Sequence, residues 1–90
     1  MLEGTVKVIN PLGLHARAAA QLVKLAGRFK SKITVNRPDN SAFANAKSML
    51  SVLTLAASIN TVLELKVTGE DEAAAFEAVC HLFSSGFGEI

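Results

Sequence analysis

The spacing of apolar residues changes several times along the 90-residue chain, and this alternation limits the possible folds more than any other feature. Alternating apolar and polar residues predict strands at 5–9, 32–36 and 63–67. A turn is predicted at 38–40, and residues 41–45 are expected to return as a short third strand in chain order. Four short strands within one small chain require other segments to cover their apolar face.

Three intervening segments have the helical spacing of about 3.6 residues. The first begins after His15 and stops at Gly27, the second covers 49–55 after Ser48, and the third follows a capping-box-like pair of Thr68 and Asp71. The apolar residues expected to be buried are Ala19, Leu22, Val23 and Ala26 in the first helix, and Phe76, Val79, Cys80 and Phe83 in the last. The order β-α-β-β-α-β-α predicts one domain, residues 1–90, with an α+β sandwich and helices on one face of the sheet.

Composition excludes several classes of protein. Half of the residues are hydrophobic and 19% are charged, which is typical of a compact domain. The single cysteine excludes an internal disulfide and a multi-cysteine metal site. Residues 49–59 are too short and too interrupted for a membrane span, and the start lacks an export signal, so we expect a cytoplasmic protein. Without Trp or Tyr, and at net charge +1, nucleic-acid binding is disfavoured.

Charge is unevenly distributed along the chain. Residues 1–50 contain eight Lys and Arg against two acidic residues, whereas residues 51–90 contain one Lys against six acidic residues. Two explanations fit this distribution equally well. One is chance together with the charge preferences of helix ends, and the other is a basic face that binds an acidic partner or an anion.

The start of the first helix departs from the usual pattern. Its cap is predicted to be His15, and its first turn contains Arg17 and no acidic residue. The last helix, by contrast, begins with the acidic run 70–72. Free N–H groups, the positive end of a helix dipole and a guanidinium together predict an anion site, for which phosphate is the natural ligand.

His15 adds nucleophilic chemistry to this site. A positive environment favours the neutral imidazole, which can attack a phosphoryl donor. A phosphohistidine is labile, so the group could be passed on. A solvent-facing histidine near a turn is the competing interpretation. His81 is explained by a surface pair with Glu77 four residues earlier, and the two histidines predict no metal site.

Ser48 and the apolar residues after it allow two interpretations. Ser48 is a good N-cap, and a phosphate there would be tolerated by the helix dipole. The two-turn helix carries more apolar residues than one face can bury, so some of them must face out. They are either ordinary core residues or include an exposed docking patch, and the set is Met49, Leu50, Val52, Leu53 and Leu55.

Three segments resemble one known family. Gly13-Leu14-His15-Ala16-Arg17 resembles the active-site motif of HPr, the histidine phosphocarrier of the bacterial phosphotransferase system. Ala46-Lys47-Ser48 with its apolar run resembles the family's regulatory-serine segment, and residues 69–72 resemble the start of its final helix. The resemblance covers the whole chain and implies an open-faced sandwich of four antiparallel strands with three helices on one face.

The resemblance also implies a function. The family carries phosphate from phospho-enzyme I, which is charged by phosphoenolpyruvate, to an enzyme IIA partner, and it is a carrier without turnover or cofactor. His15 would be phosphorylated on Nδ1 and Arg17 would be its charge partner. Ser48 matches the serine modified by HPr kinase/phosphorylase in species that have this enzyme. The implied docking surface is the apolar set Met49, Leu50 and Leu53 with the basic rim Lys24 and Arg28. We expect a monomer.

Two departures from the family leave the branch open. Ala18 stands where the family has proline, and Leu55-Ala56-Ala57 lacks the glycine that usually follows the leucine. Both are similar to the nitrogen-branch relatives called NPr and to some proteobacterial HPr proteins. A sugar-transport relay and a regulatory relay are therefore both possible. The alternative functions are a regulatory binding module that acts through Ser48 and the apolar patch with His15 vestigial, and a small-ligand sensor domain.

Overall fold

The computed structural model describes residues 1–39 and 41–90 and contains the predicted order of strands and helices. The elements are β1 Leu2–Lys7, α1 Ala16–Ala26, β2 Lys32–Arg37, β3 Ala42–Asn45, α2 Met49–Leu53, β4 Val62–Thr68, α3 Glu72–Ser84 and a final 3-10 turn Gly86–Gly88. Asn40, in the predicted turn, lies outside the described residues.

The four strands form one sheet in the order β1-β4-β2-β3, and each pairing is antiparallel. Along β4, buried Leu63, Leu65 and Val67 alternate with less buried residues, as the period of two requires. The buried side of the sheet faces the helices, and their shared core includes Leu22 of α1 and Phe83 of α3. The fold is the predicted open-faced α+β sandwich.

Several element limits differ from the predictions for identifiable reasons. β1 begins at Leu2 because residues 2–4 already pair with β4, and it ends at Lys7. Val8 instead exchanges backbone hydrogen bonds with the turn before β4, through the N–H of Asn60 and the carbonyl of Thr61. α2 stops at Leu53, two residues early, and Ala56 lies in the left-handed region with φ 47°.

The predicted buried faces of α1 and α3 are largely confirmed. In α1, Val23 is only half-buried, while the small Ala18 is fully buried. In α3, Phe76 and Cys80 are half-buried and Ala75 takes a core position. Burial in an apolar environment raises the pKa of the Cys80 thiol.

The predicted capping box of Thr68 and Asp71 is wrong. Asp71 is the N-cap residue of α3, but its side chain makes no capping hydrogen bond. Its carboxylate instead accepts hydrogen bonds from the backbone N–H groups of Lys30 (2.8 Å) and Ser31 (2.9 Å) and from the Ser31 hydroxyl. Glu72 accepts from the Gly69 N–H at 3.1 Å, so the local cap is formed one residue later than predicted.

No helix in residues 1–39 and 41–90 is both long enough and apolar enough to cross a membrane.

Candidate functional site at the start of helix α1

His15 is the N-cap residue of α1, as predicted. Its backbone is extended (φ −74°, ψ 177°), and its Nδ1 accepts a hydrogen bond from the Arg17 N–H at 3.3 Å. Its carbonyl accepts the first helical bond, from the Ala19 N–H at 2.8 Å. The first turn contains no acidic residue. The imidazole therefore lies at the positive end of the helix dipole, next to first-turn N–H groups that have no intrahelical partners.

The loop before His15 is held against the connection between α2 and β4. The Leu14 N–H donates to the Ala57 carbonyl at 2.8 Å. Gly13 has φ 69°, and a Cβ built on it would lie 2.5 Å from the Ala57 oxygen. Only glycine allows both this left-handed backbone and this close approach. The position of His15 thus depends on residues that are more than 40 positions away in the chain.

Glu89 brings a carboxylate to the same helix start. Its Oε2 lies 2.6 Å from His15 Nε2 and 3.5 Å from Arg17 Nε, and its Oε1 accepts a hydrogen bond from Asn10 Nδ2 at 2.9 Å. The prediction that the first turn of α1 has no acidic residue is confirmed, but the fold supplies a carboxylate that the sequence did not predict there. The missing acid comes from outside the helix, 74 positions after His15 in the sequence.

Asn10 and Glu89 together determine which imidazole nitrogen carries a proton. The hydrogen bond from Asn10 is the largest cause that holds the pKa of the Glu89 carboxyl below its ordinary value, and His15 and Arg17 add to it. An ionised carboxylate only accepts hydrogen bonds, so Nε2 of His15 is the donor. Nδ1 faces a backbone donor and must be the acceptor. Together the two contacts select the tautomer with its proton on Nε2 and its lone pair on Nδ1.

The segment after α3 carries Glu89 to this position. Phe87 is buried, contacts the Phe83 ring edge-to-face with centroids 5.0 Å apart, and accepts a hydrogen bond at its carbonyl from Gln21 Nε2 (3.1 Å). Its φ of 55° turns the chain back toward α1. An open cleft of about 500 Å³ lies beside the site, and its lining includes Leu12, Arg17, Gln21 and Glu89.

Asn10 and Glu89 are not among the site residues predicted from the sequence. Asn10 follows the first strand, and its side chain is completely buried and also donates to the Gly13 carbonyl at 2.8 Å. A fully buried asparagine next to a predicted anion site indicates a structural or positioning role, but burial at this position depends on the tertiary fold. For Glu89, the only available signal was an acidic residue after a glycine-rich turn.

Ser48 is the N-cap residue of α2, as predicted, and its Oγ accepts a hydrogen bond from the Ser51 N–H at 3.3 Å. The apolar residues that follow it divide between two environments. Val52 and Leu55 are fully buried, whereas Leu50 is 78% exposed and Leu53 is 37% exposed. The half-buried Met49 lies between these extremes. An exposed apolar patch therefore begins immediately after the serine.

The predicted basic rim lies on α1. Lys24 and Arg28 are exposed and border a shallow cleft that includes Leu82 of α3. Lys47 has no role predicted from the sequence, but its ammonium donates to the Phe29 carbonyl at 2.7 Å. This contact joins the residue before Ser48 to the residue after Arg28, so one end of the basic rim lies next to the start of α2.

Among residues 1–39 and 41–90, no group of three or more His, Cys, Asp and Glu side chains could hold a metal ion. His81 is exposed on α3.

Comparison with known proteins decides the family. A family model described as "PTS HPr component phosphorylation site" matches residues 2–85. The chain belongs to the HPr family of the phosphotransferase system. It is 44% identical over 89 residues to the phosphocarrier protein HPr of Xylella fastidiosa, and the match covers 99% of this chain and 98% of the relative.

Solved HPr structures have the same fold. HPr-C-His from Thermoanaerobacter tengcongensis is 39% identical, covers 100% of this chain and 99% of its own, and has a TM-score of 0.93. A structure of an HPr dimer from the same organism is also 39% identical, with coverage of 99% and 100%, and has a TM-score of 0.77. The family match includes His15 and Arg17, whereas Glu89 lies beyond the matched residues.

Proposed function

We propose that the chain accepts a phosphoryl group on Nδ1 of His15 from phospho-enzyme I and passes it to an enzyme IIA-type protein. The observation that supports this most directly is the hydrogen bonding of one imidazole. Nε2 is engaged by Glu89, while the lone pair of Nδ1 faces the start of α1. A phosphoryl group on Nδ1 would therefore enter the region where the helix N–H groups favour an anion.

The transfer step follows from this tautomer. The Nδ1 lone pair forms a bond to phosphorus, and the bond between phosphorus and its donor breaks with the electron pair leaving on the donor. The proton on Nε2 is retained, so the ring gains positive charge as the new bond forms. The Glu89 carboxylate, 2.6 Å from Nε2, stabilises this charge. Onward transfer reverses the same step toward the acceptor.

Arg17 would bind the incoming phosphoryl oxygens. Its side chain is 70% exposed, and only its Nε approaches Glu89, at a distance of 3.5 Å. A guanidinium can bind a phosphate through two parallel N–H donors. The phosphoryl group brings more negative charge than one carboxylate, so Arg17 would turn from Glu89 toward the phosphate when it arrives.

The proposal is tested by incubating the protein with phosphoenolpyruvate and a bacterial enzyme I and measuring intact mass. The wild type should gain one acid-labile phosphate, and His15→Ala should gain none. His81→Ala is the matched control, since it removes the other histidine from an exposed position. It should be labelled like the wild type.

Acid-labile labelling that persists in His15→Ala would contradict the proposal. Absence of labelling in the wild type with both a sugar-branch and a nitrogen-branch enzyme I would do the same. Labelling by only one of the two enzymes would assign the branch, which the family match leaves open.

The docking surface proposed for these partners combines Lys24 and Arg28 with the apolar patch of Met49, Leu50 and Leu53. The exposure of Leu50 and Leu53 supports the apolar part. We propose that the protein acts as a cytoplasmic monomer. Because an HPr dimer is known for a 39% identical relative, solution mass over a range of concentrations tests this point.

A second, compatible function is regulation through Ser48. Its hydroxyl lies at a helix start next to the exposed Leu50, so a phosphate there would change the charge beside an apolar docking patch. An HPr kinase/phosphorylase would supply the phosphate in species that have this enzyme. Ser48→Asp should change the affinity for a regulatory partner even in the background of His15→Ala. Unchanged affinity would count against this role.

A further inference from the structure

Arg37 lies at the end of β2 and binds two backbone carbonyls just after α2. Its Nη1 donates to the carbonyls of Leu55 (3.0 Å) and Ala56 (2.9 Å). Its Nε and Nη2 donate to the two carboxylate oxygens of Asp39, at 2.7 and 3.3 Å. The side chain is only 20% exposed, so the guanidinium is held from two sides in one orientation.

The carbonyls that Arg37 binds would otherwise lack strong partners. Leu55 and Ala56 follow the last helical residue, Leu53, so their carbonyls have no donor within α2. Ala56 also has φ 47°, which is unfavourable for a residue with a Cβ. Hydrogen bonds from a charged guanidinium are stronger than neutral ones, and here they hold a conformation that the local sequence disfavours.

Ala57, the next residue, connects the carbonyls bound by Arg37 to the loop that carries His15. The carbonyl of Ala57 accepts the Leu14 N–H at 2.8 Å and lies close against Gly13. Leu14 immediately precedes His15. Residues 55–57 are therefore bound by Arg37 on one side and by the loop before His15 on the other.

We propose that Arg37 is a positioning residue for phosphoryl transfer, which fixes residues 55–57 and through them the loop that carries His15. The proposal rests on the function proposed for His15. Arg37 does not contact the imidazole, and its influence passes through the hydrogen bond between Leu14 and Ala57.

Two measurements on the full chain test the proposal. The first is hydrogen exchange of the Leu14 amide, followed by NMR, which reports directly on the bond to Ala57 and requires no phosphoryl transfer. The second is the rate at which His15 takes up phosphate from phosphoramidate. In that reaction the phosphorus–nitrogen bond of the reagent breaks, a bond from phosphorus to the imidazole forms, and ammonia leaves.

The variants are Arg37→Met, Arg37→Lys and Lys66→Met. Lys66→Met is the charge-matched control, because Lys66 is exposed on β4 and its strand position faces away from the helices. In Arg37→Met, Leu14 exchange should accelerate about tenfold and phosphoryl uptake should slow several-fold. Arg37→Lys should recover most of both, because a single nitrogen of Arg37 makes both bonds to the carbonyls. Lys66→Met should match the wild type.

Two results would overturn the proposal. One is Leu14 exchange in Arg37→Met that equals that of Lys66→Met. The other is faster exchange at all amides with an unchanged uptake rate, which would show that Arg37 contributes only to global stability. If the wild type takes up no phosphate at His15, the proposed function fails, while the exchange measurement still decides whether Arg37 holds the Leu14 bond.

Discussion

The starts of α1 and α3 both have a carboxylate nearby, but they obtain it in different ways. α3 begins with its own acidic residues, and the carboxylates of Asp71 and Glu72 accept hydrogen bonds from backbone N–H groups of Lys30, Ser31 and Gly69. α1 has no acidic residue in its first turn and receives the carboxylate of Glu89 from the other end of the domain.

The partners of these carboxylates explain the difference. The partners at α3 are backbone N–H groups, the Ser31 hydroxyl and the N-terminal ammonium, and they hold neighbouring segments against this helix start, so it has a structural role. The carboxylate at α1 contacts three side chains, namely the amide of Asn10, the imidazole of His15 and the exposed guanidinium of Arg17. Its place can be taken by another anion without breaking the backbone structure. A helix start whose carboxylate comes from a distant segment is suited to exchange that carboxylate contact for a phosphoryl group.

Replacing Asp71 should have the largest effect on stability. Asp71→Ala removes three hydrogen-bond acceptor contacts to residues 30 and 31 and leaves the Ser31 side chain, which is 1% exposed, without its carboxylate partner. The melting temperature should fall by several degrees, while the folded protein should still take up phosphate at the wild-type rate. Calorimetry and the labelling assay measure the two properties. Slower labelling at a temperature where the variant is fully folded would show that the two helix starts are coupled.

Replacing Glu89 should change phosphoryl uptake more than it changes stability. Both oxygens of its carboxylate face donors, from Asn10 and from His15, and an amide cannot accept at both positions. Glu89→Gln should therefore perturb the tautomer more than Glu89→Ala does. Uptake on Nδ1 should slow about two- to tenfold in Glu89→Gln, with a larger share of phosphate on Nε2.

NMR of the phosphohistidine separates the two ring positions in these variants. Equal rates and equal Nδ1 selectivity in Glu89→Gln and the wild type would mean that Glu89 has no influence on the imidazole. The melting temperature should change less in either Glu89 variant than in Asp71→Ala, because no backbone group loses its partner.

The contrast between the two helix starts also shows what the sequence can and cannot predict. The order of strands and helices, the N-caps His15 and Ser48, and the partial exposure of the apolar residues after Ser48 all follow from local spacing and residue preference. These features depend on residues within one or two turns of each other.

The features that sequence analysis missed depend on contacts between distant segments. Asp71 binds residues 40 positions earlier, and Glu89 binds His15 74 positions earlier. Arg37 reaches across 18 positions to the end of α2. One sequence indicates that these side chains are charged but does not indicate their partners. The positively charged start of α1 was therefore predictable, whereas the Glu89 carboxylate that contacts it was not.

Acid titration should reveal both helix starts. The pKa of Glu89 is held below its ordinary value of 4.5, chiefly by Asn10, and that of Asp71 below 3.8, chiefly by the Ser31 hydroxyl. A lowered pKa in the folded state stabilises the protein above the ordinary value, and this stabilisation is lost as the pH falls through the lowered value. The free energy of unfolding should thus fall as the pH drops below about 4.5.

Denaturant unfolding at a series of pH values measures this dependence. Glu89→Gln should reduce the part that begins below pH 4.5, to which the lowered pKa of Glu72 also contributes, and Asp71→Asn should remove the part that begins below 3.8. An acid dependence identical to that of the wild type in both variants would show that other carboxyl groups cause it.

The smallest expected effect concerns the loop on which α1's start rests. The start of α1 depends on residues 55–57 through the hydrogen bond between Leu14 and Ala57. Within this segment, Ala56 has a left-handed φ of 47°. The family usually has a glycine after the leucine that corresponds to Leu55. Ala56→Gly should stabilise the protein by about 0.5–1 kcal/mol, because relief of the strained backbone exceeds the entropy lost by a glycine. Urea unfolding would measure this change.

Ala74→Gly is the control for Ala56→Gly, because Ala74 is exposed within α3 and the same substitution in a helix costs about 1 kcal/mol. Opposite signs for the two variants would show that residue 56 is under backbone strain that α3 does not share. Equal destabilisation would mean that the left-handed backbone at residue 56 stores no strain. In the first case, the protein keeps a less stable loop beneath His15, and Arg37 offsets part of that strain through its two carbonyl contacts.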